Sequence, residues 1–427
     1  MFLRDLENAA LRRCGDDHVG LQLALAVRVL YLHPAAAFGG ASKSLIELLS
    51  LLKERGVVGT VLSPSGAAFL AFKQAGLAVH SVKGLSQFDN TRHGHYRGLR
   101  WLILLRELYF LPFSLLALWR LRGGRFDLLH VNEVTLLPLG IVARWLLGVP
   151  MVVHVRSLQR KPGTGWRTWL VNRWLGRHAD AVVAIDHTVA STLDPALPIT
   201  VVHNGLNISA TAALRPGGEG GPVRIGFLGV LIPLKGVYEL VEAMRILVKE
   251  RGLNLECLIA GENAREVSGF KAFVLRRLGF ARDVRGELSQ LIEQHDLQEQ
   301  VRLLGFVGDV RALYPRLDII CFPSHLDAAG RPVFEAAFYS IPSVVAVADP
   351  LPDSVIHGVT GLAVRGPDPV FIADALQRLA EDPAYRRTLG LQARAWAEEN
   401  FAVDRNALLM YEVYCRALSR SRVAASD

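Results

Sequence analysis

The stretch Val223-Arg-Ile-Gly-Phe-Leu228-Gly229-Val-Leu-Ile-Pro-Leu-Lys235-Gly236-Val237 decides the fold. An unbroken apolar run passes into a glycine-bounded loop, and a helix starts at about Val237. Continuous apolar runs of this length fit parallel strands covered on both faces. A lysine at the carboxyl end of such a strand, just before a helix, is well placed to meet a phosphate.

The pattern recurs towards the N-terminus. Run 27–32 ends at Leu32-His33, and Pro34-Ala-Ala-Ala-Phe-Gly39-Gly40-Ala41 leads to a helix near Ser42. Gly39 and Gly40 permit close backbone approach, and the helix start offers N–H groups to an anion. Further apolar runs cover 57–62, 126–131, 150–155, 181–185 and 200–202, then 255–260, 301–304, 319–322 and 343–347. Helical stretches separate them, so the fold class is α/β, with two facing doubly wound Rossmann-like domains. The Pro- and Gly-rich segment 215–222 reads as a connector. The expected organisation is an extension over 1–25, a first domain over 26–206, a linker over 207–222, a second domain over 223–395, and a C-terminal helix over 396–427 that crosses back to the first. Ligands of such sheets bind at the carboxyl ends of the strands, so facing domains put the expected site in the cleft between them.

Composition narrows the function. The chain has 427 residues, 51% of them hydrophobic, which excludes a disordered protein and needs more than one core. Cys14, Cys257, Cys321 and Cys415 are too scattered for a disulfide scaffold or a zinc site. The net charge of +8 is uneven: residues 1–205 hold 23 basic and 13 acidic side chains, the remainder 25 and 27. A basic half fits nucleic acid, an anionic membrane surface, a phosphorylated substrate, or simply solvated arginines. No nucleic-acid module accompanies it, so nucleic acid is not an expected partner. The start, with Arg4, Asp5 and Glu7, does not read as a signal peptide, and no run reaches the roughly 20 apolar residues of a membrane span. A cytoplasmic location follows as the expectation, peripheral on the inner membrane face if the basic half meets lipid.

Residues 92–125 sharpen that alternative. They carry Arg92, Arg97, Arg100, Arg106, Arg120, Arg122 and Arg125 against one acid, Glu107, with Trp101, Tyr109, Phe110, Phe113 and Trp119 interleaved. Such a stretch lies in a lipid interface, or it forms two ordinary helices on a sheet; the periodicity is the same either way. The helical stretch 264–290 reads as an insertion.

The second half also holds Pro323-Ser-His-Leu-Asp327-Ala-Ala-Gly330-Arg331-Pro332-Val333-Phe334-Glu335. Loop amides near Gly330 to Val333 can receive an anion or sugar hydroxyls, and Glu335, a bidentate acceptor in the next helix, suits a ribose.

At this point the chain resembles the retaining glycosyltransferases of the GT-B fold, in the group 1 or family 4 class. The resemblance rests on Gly39-Gly40-Ala41, Asn204-Gly205, Gly229 to Gly236, Gly305-Phe-Val-Gly-Asp309, Asp327 to Glu335 with Ile341-Pro342, and His357-Gly-Val-Thr-Gly361, in that order. It implies a nucleotide diphosphate sugar donor, UDP- or GDP-linked, and a lipid-linked or oligosaccharide acceptor. Gly39 and Gly40 resemble the loop against the donor diphosphate, Lys235 the lysine that neutralises the leaving group, and Glu335 the acid on the ribose. Gly229, Arg331, Pro332 and Val333 resemble donor-loop positions. Asp327 stands where the family usually has glutamate, Val230 where it often has arginine, and Arg156 where it often has histidine, with His154 two residues before on the same side of a strand. With Val230 in place of arginine, Lys235 carries more of the diphosphate charge or Arg331 substitutes. No Asp-x-Asp occurs, so neither a bridging metal nor a cofactor is expected. The alternatives are a catalytically weakened homologue acting as a binding partner in glycan assembly, and a sugar-nucleotide epimerase of the same fold.

Overall fold

The computed structural model describes residues 26–92, 94, 96, 101–208, 221–263, 282–326 and 329–426. They form two compact units: one runs to Gly205 and resumes at Val403, and the other is Leu206–Ala402.

The first unit is built on seven parallel strands: β1 Val27–Leu32, β2 Val57–Pro64, β3 Ala78–Val82, β4 Leu128–Val131, β5 Met151–Val155, β6 Ala181–Ala184 and β7 Ile199–Val201. Their order is β3-β2-β1-β4-β5-β6-β7, so the winding reverses between β1 and β4. Alternate residues of each strand feed opposite layers. Val29, Tyr31 and Val61 pack under α1 (Gly40–Glu54), α2 (Ala67–Gln74) and the C-terminal helix Val403–Ser426. Leu30, Leu32 and Leu62 pack under α3 (Ile103–Leu121), α4 (Leu137–Leu147) and α5 (Trp166–His178). Burial on both faces is why these strands read as unbroken apolar runs.

The second unit has six parallel strands in the order β10-β9-β8-β11-β12-β13. They are β8 Val223–Leu228, β9 Leu255–Ala260, β10 Val301–Gly305, β11 Ile319–Phe322, β12 Ser343–Val345 and β13 Gly361–Ala363. The helices are α6 Val237–Arg245, α7 Val284–Gln294, α8 Arg331–Phe338, α9 Pro369–Glu381 and α10 Pro383–Phe401. Here the winding reverses between β8 and β11, which makes their carboxyl ends the binding edge.

One boundary shifts from the sequence expectation. Residues 396–402 stay with the second unit, because Ala397 and Phe401 pack with Leu206, Ala337 and Phe338. The helix that joins the first unit begins at Val403, with Met410, Val413 and Tyr414 in its core. The extension 1–25, most of the linker (209–220) and most of the insertion (264–281) lie outside the described residues. No helix among the described residues is long and apolar enough to cross a membrane.

Candidate active site

In the second unit, β8 ends at Gly229, whose φ of +149° is closed to other residues without strain. Lys235 folds back over it, with Nζ 2.9 Å from where a Cβ on Gly229 would stand and 5.6 Å from the Phe322 ring centroid. Gly236 pins this loop to the end of β11: its φ is +73°, and a Cβ there would lie 1.7 Å from the Pro323 carbonyl oxygen. Burial lowers the Lys235 pKa from its ordinary value. Among the described residues no carboxylate pairs with it. A partly buried ammonium without a counter-charge is costly unless an anion is meant to arrive.

The next helix, α8, starts at Gly330, which lies flat against Phe322; a Cβ there would meet the ring at 2.3 Å. Glu335 is buried and already engaged. Its Oε2 accepts from the Tyr314 hydroxyl at 2.6 Å and its Oε1 from Arg331 Nε at 2.8 Å. Arg331 is thereby held to Glu335 through its Nε. The amide cradle is narrower than the sequence implies. Pro332 has no N–H, and the Val333 N–H is spent on the Gly330 carbonyl at 2.9 Å while its side chain packs with Phe322 and Val345. Asp327 lies outside the described residues.

In the first unit, α1 starts at Gly39 with no side-chain cap. A Cβ on Gly39 or Gly40 would meet nothing within 4 Å, so the glycines leave room in front of unsatisfied helix N–H groups. Behind them a string of side chains crosses the carboxyl ends of the strands. Ser42 Oγ meets His33 Nε2 at 3.0 Å, and His33 Nδ1 meets Asn132 Nδ2 at 2.9 Å. Arg156 Nε donates to Asn132 Oδ1 at 2.9 Å, and its guanidinium also donates to Asn204 Oδ1 at 2.6 Å. His154 and Arg156 do share a side, 3.2 Å apart, but His154 is 2% exposed, so it backs Arg156 from within the unit. Burial first, then the charge of Arg156, holds His33 and His130 at about 3 and His154 well below its ordinary value, so all three stay neutral. Beside them burial raises Glu133 to about 7, although Val134 N–H and Ser157 Oγ both donate to its Oε1.

The string at His33, Asn132 and Asn204 was not singled out as functional from the sequence. Its signal is positional: His33, Asn132 and Arg156 are each the first residue past a strand end.

Comparison with known proteins bears on family and fold. A family model described as glycosyl transferases group 1 matches residues 215–396, and one described as glycosyl transferase 4-like domain matches 39–205. A glycogen synthase of Mycobacterium tuberculosis is 26% identical over 316 residues, covering 69% of this chain and 70% of its own. The lipopolysaccharide core biosynthesis mannosyltransferase LpcC of Rhizobium leguminosarum bv. viciae is 24% identical, covering 72% and 84%. Anabaena HepE, solved with UDP and glucose, shares the fold at a TM-score of 0.69 and 20% identity, covering 91% of this chain and 99% of its own.

Proposed function

The chain belongs to the group 1 glycosyl transferases and is a GT-B glycosyltransferase, and from that premise we propose that it moves a sugar, with retention, from a UDP- or GDP-sugar to a hydroxyl of a lipid-linked or polysaccharide acceptor. The observation that carries the donor assignment is Lys235, partly buried at the carboxyl end of β8 and without a carboxylate partner among the described residues. Its charge would meet the departing diphosphate where negative charge develops, which is where a fixed cation accelerates most. Glu335, held rigid by Tyr314 and Arg331, would accept ribose hydroxyls through its remaining lone pairs. The uncapped start of α1 and the guanidinium of Arg156 would bind an anionic group of a substrate on the first unit. Its excess of positive charge supports an anionic acceptor and work at the inner membrane face.

The test is a donor panel of UDP-glucose, UDP-N-acetylglucosamine and GDP-mannose. Binding is read by calorimetry, and nucleotide release is read with and without polyprenyl-phosphate-linked oligosaccharides. Release that depends on acceptor is the expected result. Equal release without acceptor would point to an epimerase, and no binding of any nucleotide would sink the donor assignment.

A further inference from the structure

Helix α3 is apolar on both faces: Leu118 and Leu121 are buried against the sheet, and a second apolar face points outward. At 3.6 residues per turn, Leu105, Leu108, Tyr109, Leu115, Leu116 and Trp119 fall within an arc of about 120°. That arc faces solvent, with Leu105 63% and Leu108 61% exposed. The opposite face buries Glu107 and Ser114. Those polar groups are fully used: Glu107 accepts from the Gln87 N–H at 2.8 Å, and Ser114 Oγ accepts from the Ser86 N–H and donates to the Gly84 carbonyl. The orientation is therefore specified by the loop at 84–87, and the apolar face is left outward by design of the sequence.

The neighbouring helices continue that surface. α4 packs against α3, and α5 against α4. Their outer positions include Trp145, 84% exposed, with Trp166 at 61% and Trp169 at 60%. Charge decides what covers it. Residues 134–179 contain no Asp or Glu, and Lys161, Arg173 and Arg177 are exposed there. Exposed Arg120 and Arg122 border the apolar face of α3. Arg122 sits 4.3 Å from the Trp119 ring centroid, and Arg173 sits 5.3 Å from that of Trp169. A second copy would set this basic rim against itself, since a two-fold interface pairs a patch with its own image. An anionic lipid surface instead satisfies both features: leucines enter the acyl boundary, tryptophans sit at headgroup depth, and arginines meet phosphates.

We infer that the outer face of α3, α4 and α5 is the surface by which this protein docks on an anionic lipid bilayer, with the α3 leucines inserted. The inference concerns partner and surface, and its readout is independent of sugar transfer.

The experiment uses the full chain with vesicles of equal parts phosphatidylglycerol and phosphatidylcholine, and with phosphatidylcholine alone. The protein is expected to sediment with the first and not the second, with a blue shift of tryptophan emission. Arg120→Gln with Arg122→Gln should weaken binding roughly fivefold per arginine. Leu105→Glu with Leu116→Glu should abolish the blue shift and the binding that survives high salt. All four sites are solvent-facing, so thermal melting should not change; Trp145→Ser serves as a further variant should either pair fail to fold. Three results would overturn the inference: wild-type protein left in the supernatant, leucine variants that bind like wild type, or a solution dimer that those variants dissolve while vesicle binding is absent.

Discussion

Replacing Lys235 with methionine separates a catalytic lysine from a structural one, because the two readings move stability and turnover differently. Methionine keeps an unbranched apolar stem over Phe322 and removes only the charge. The lost cation–π contact is worth about 0.5–1 kcal/mol. Against that stands relief of a partly buried ammonium whose pKa is lowered by desolvation. The sign is as follows: a base with a depressed folded pKa costs stability while it is charged, and that cost fades as pH rises towards its ordinary value of 10.5. The two effects oppose each other near neutrality, so the melting temperature should move by no more than a few degrees. Turnover should fall about 10²–10³-fold, the usual effect of removing one fixed donor from a developing anion. Nucleotide release with saturating donor and acceptor, set beside a thermal melt, gives both numbers. Wild-type turnover would refute the leaving-group role. A drop in melting temperature beyond roughly 4 °C would make the lysine a structural element instead.

Glu335→Gln keeps one acceptor oxygen for Arg331, while its NH2 can donate to the Tyr314 hydroxyl, and it should weaken UDP or GDP binding about tenfold, the scale of one charge-assisted hydrogen bond, with little change in melting. Glu335→Ala should in addition destabilise by about 3 kcal/mol, since it strands a mostly buried guanidinium and a buried hydroxyl. Equal affinity in the glutamine variant, read by calorimetry, would remove the ribose role. Glu133 is raised from 4.5 to about 7, so its burial costs nothing when protonated and progressively more as pH climbs through that window. Glu133→Gln keeps an acceptor for Val134 and Ser157, and should match wild type at acid pH and exceed it above neutrality by at most about 3 kcal/mol. Parallel denaturant curves across that range would contradict the assignment.

Much of the architecture is legible in apolar runs because the central strands are buried on both faces. β3 escapes that reading for the opposite reason: it is an edge strand with four of its five residues at least partly exposed, so its composition carries no continuous signal. β13 is also an edge, and only three residues long. Lys235 is legible as a position, since strand, glycine loop and helix fix where its backbone sits. Its want of a partner is not, because that depends on where every carboxylate of the unit ends up. The engagement of Glu335 by Tyr314 is hidden too, as the tyrosine comes 21 residues earlier, in a turn before β11. The direction of α3 is the clearest case. Leu105 and Leu108 face out while Leu118 and Leu121 face in beside Glu107 and Ser114, so periodicity alone does not tell which apolar face of the helix is buried.

The departure at Val230 acquires consequence from the pairings around it. An arginine there would add a second cation beside Lys235; Val230 is 45% exposed and adds none. The nearby guanidiniums are each engaged at one nitrogen, Arg285 with Glu262 and Arg331 with Glu335. Breaking either pair to reach a diphosphate would leave a carboxylate facing the anion, which works against binding rather than for it. On the proposed reading, the charge of the leaving group in the second unit falls mainly on Lys235, with backbone dipoles at the start of α8 beside it. A site that relies on one lysine should be unusually sensitive to its loss. Val230→Arg should then partly rescue Lys235→Met, restoring about tenfold of the lost turnover, and the absence of any rescue would show that the position cannot reach the diphosphate.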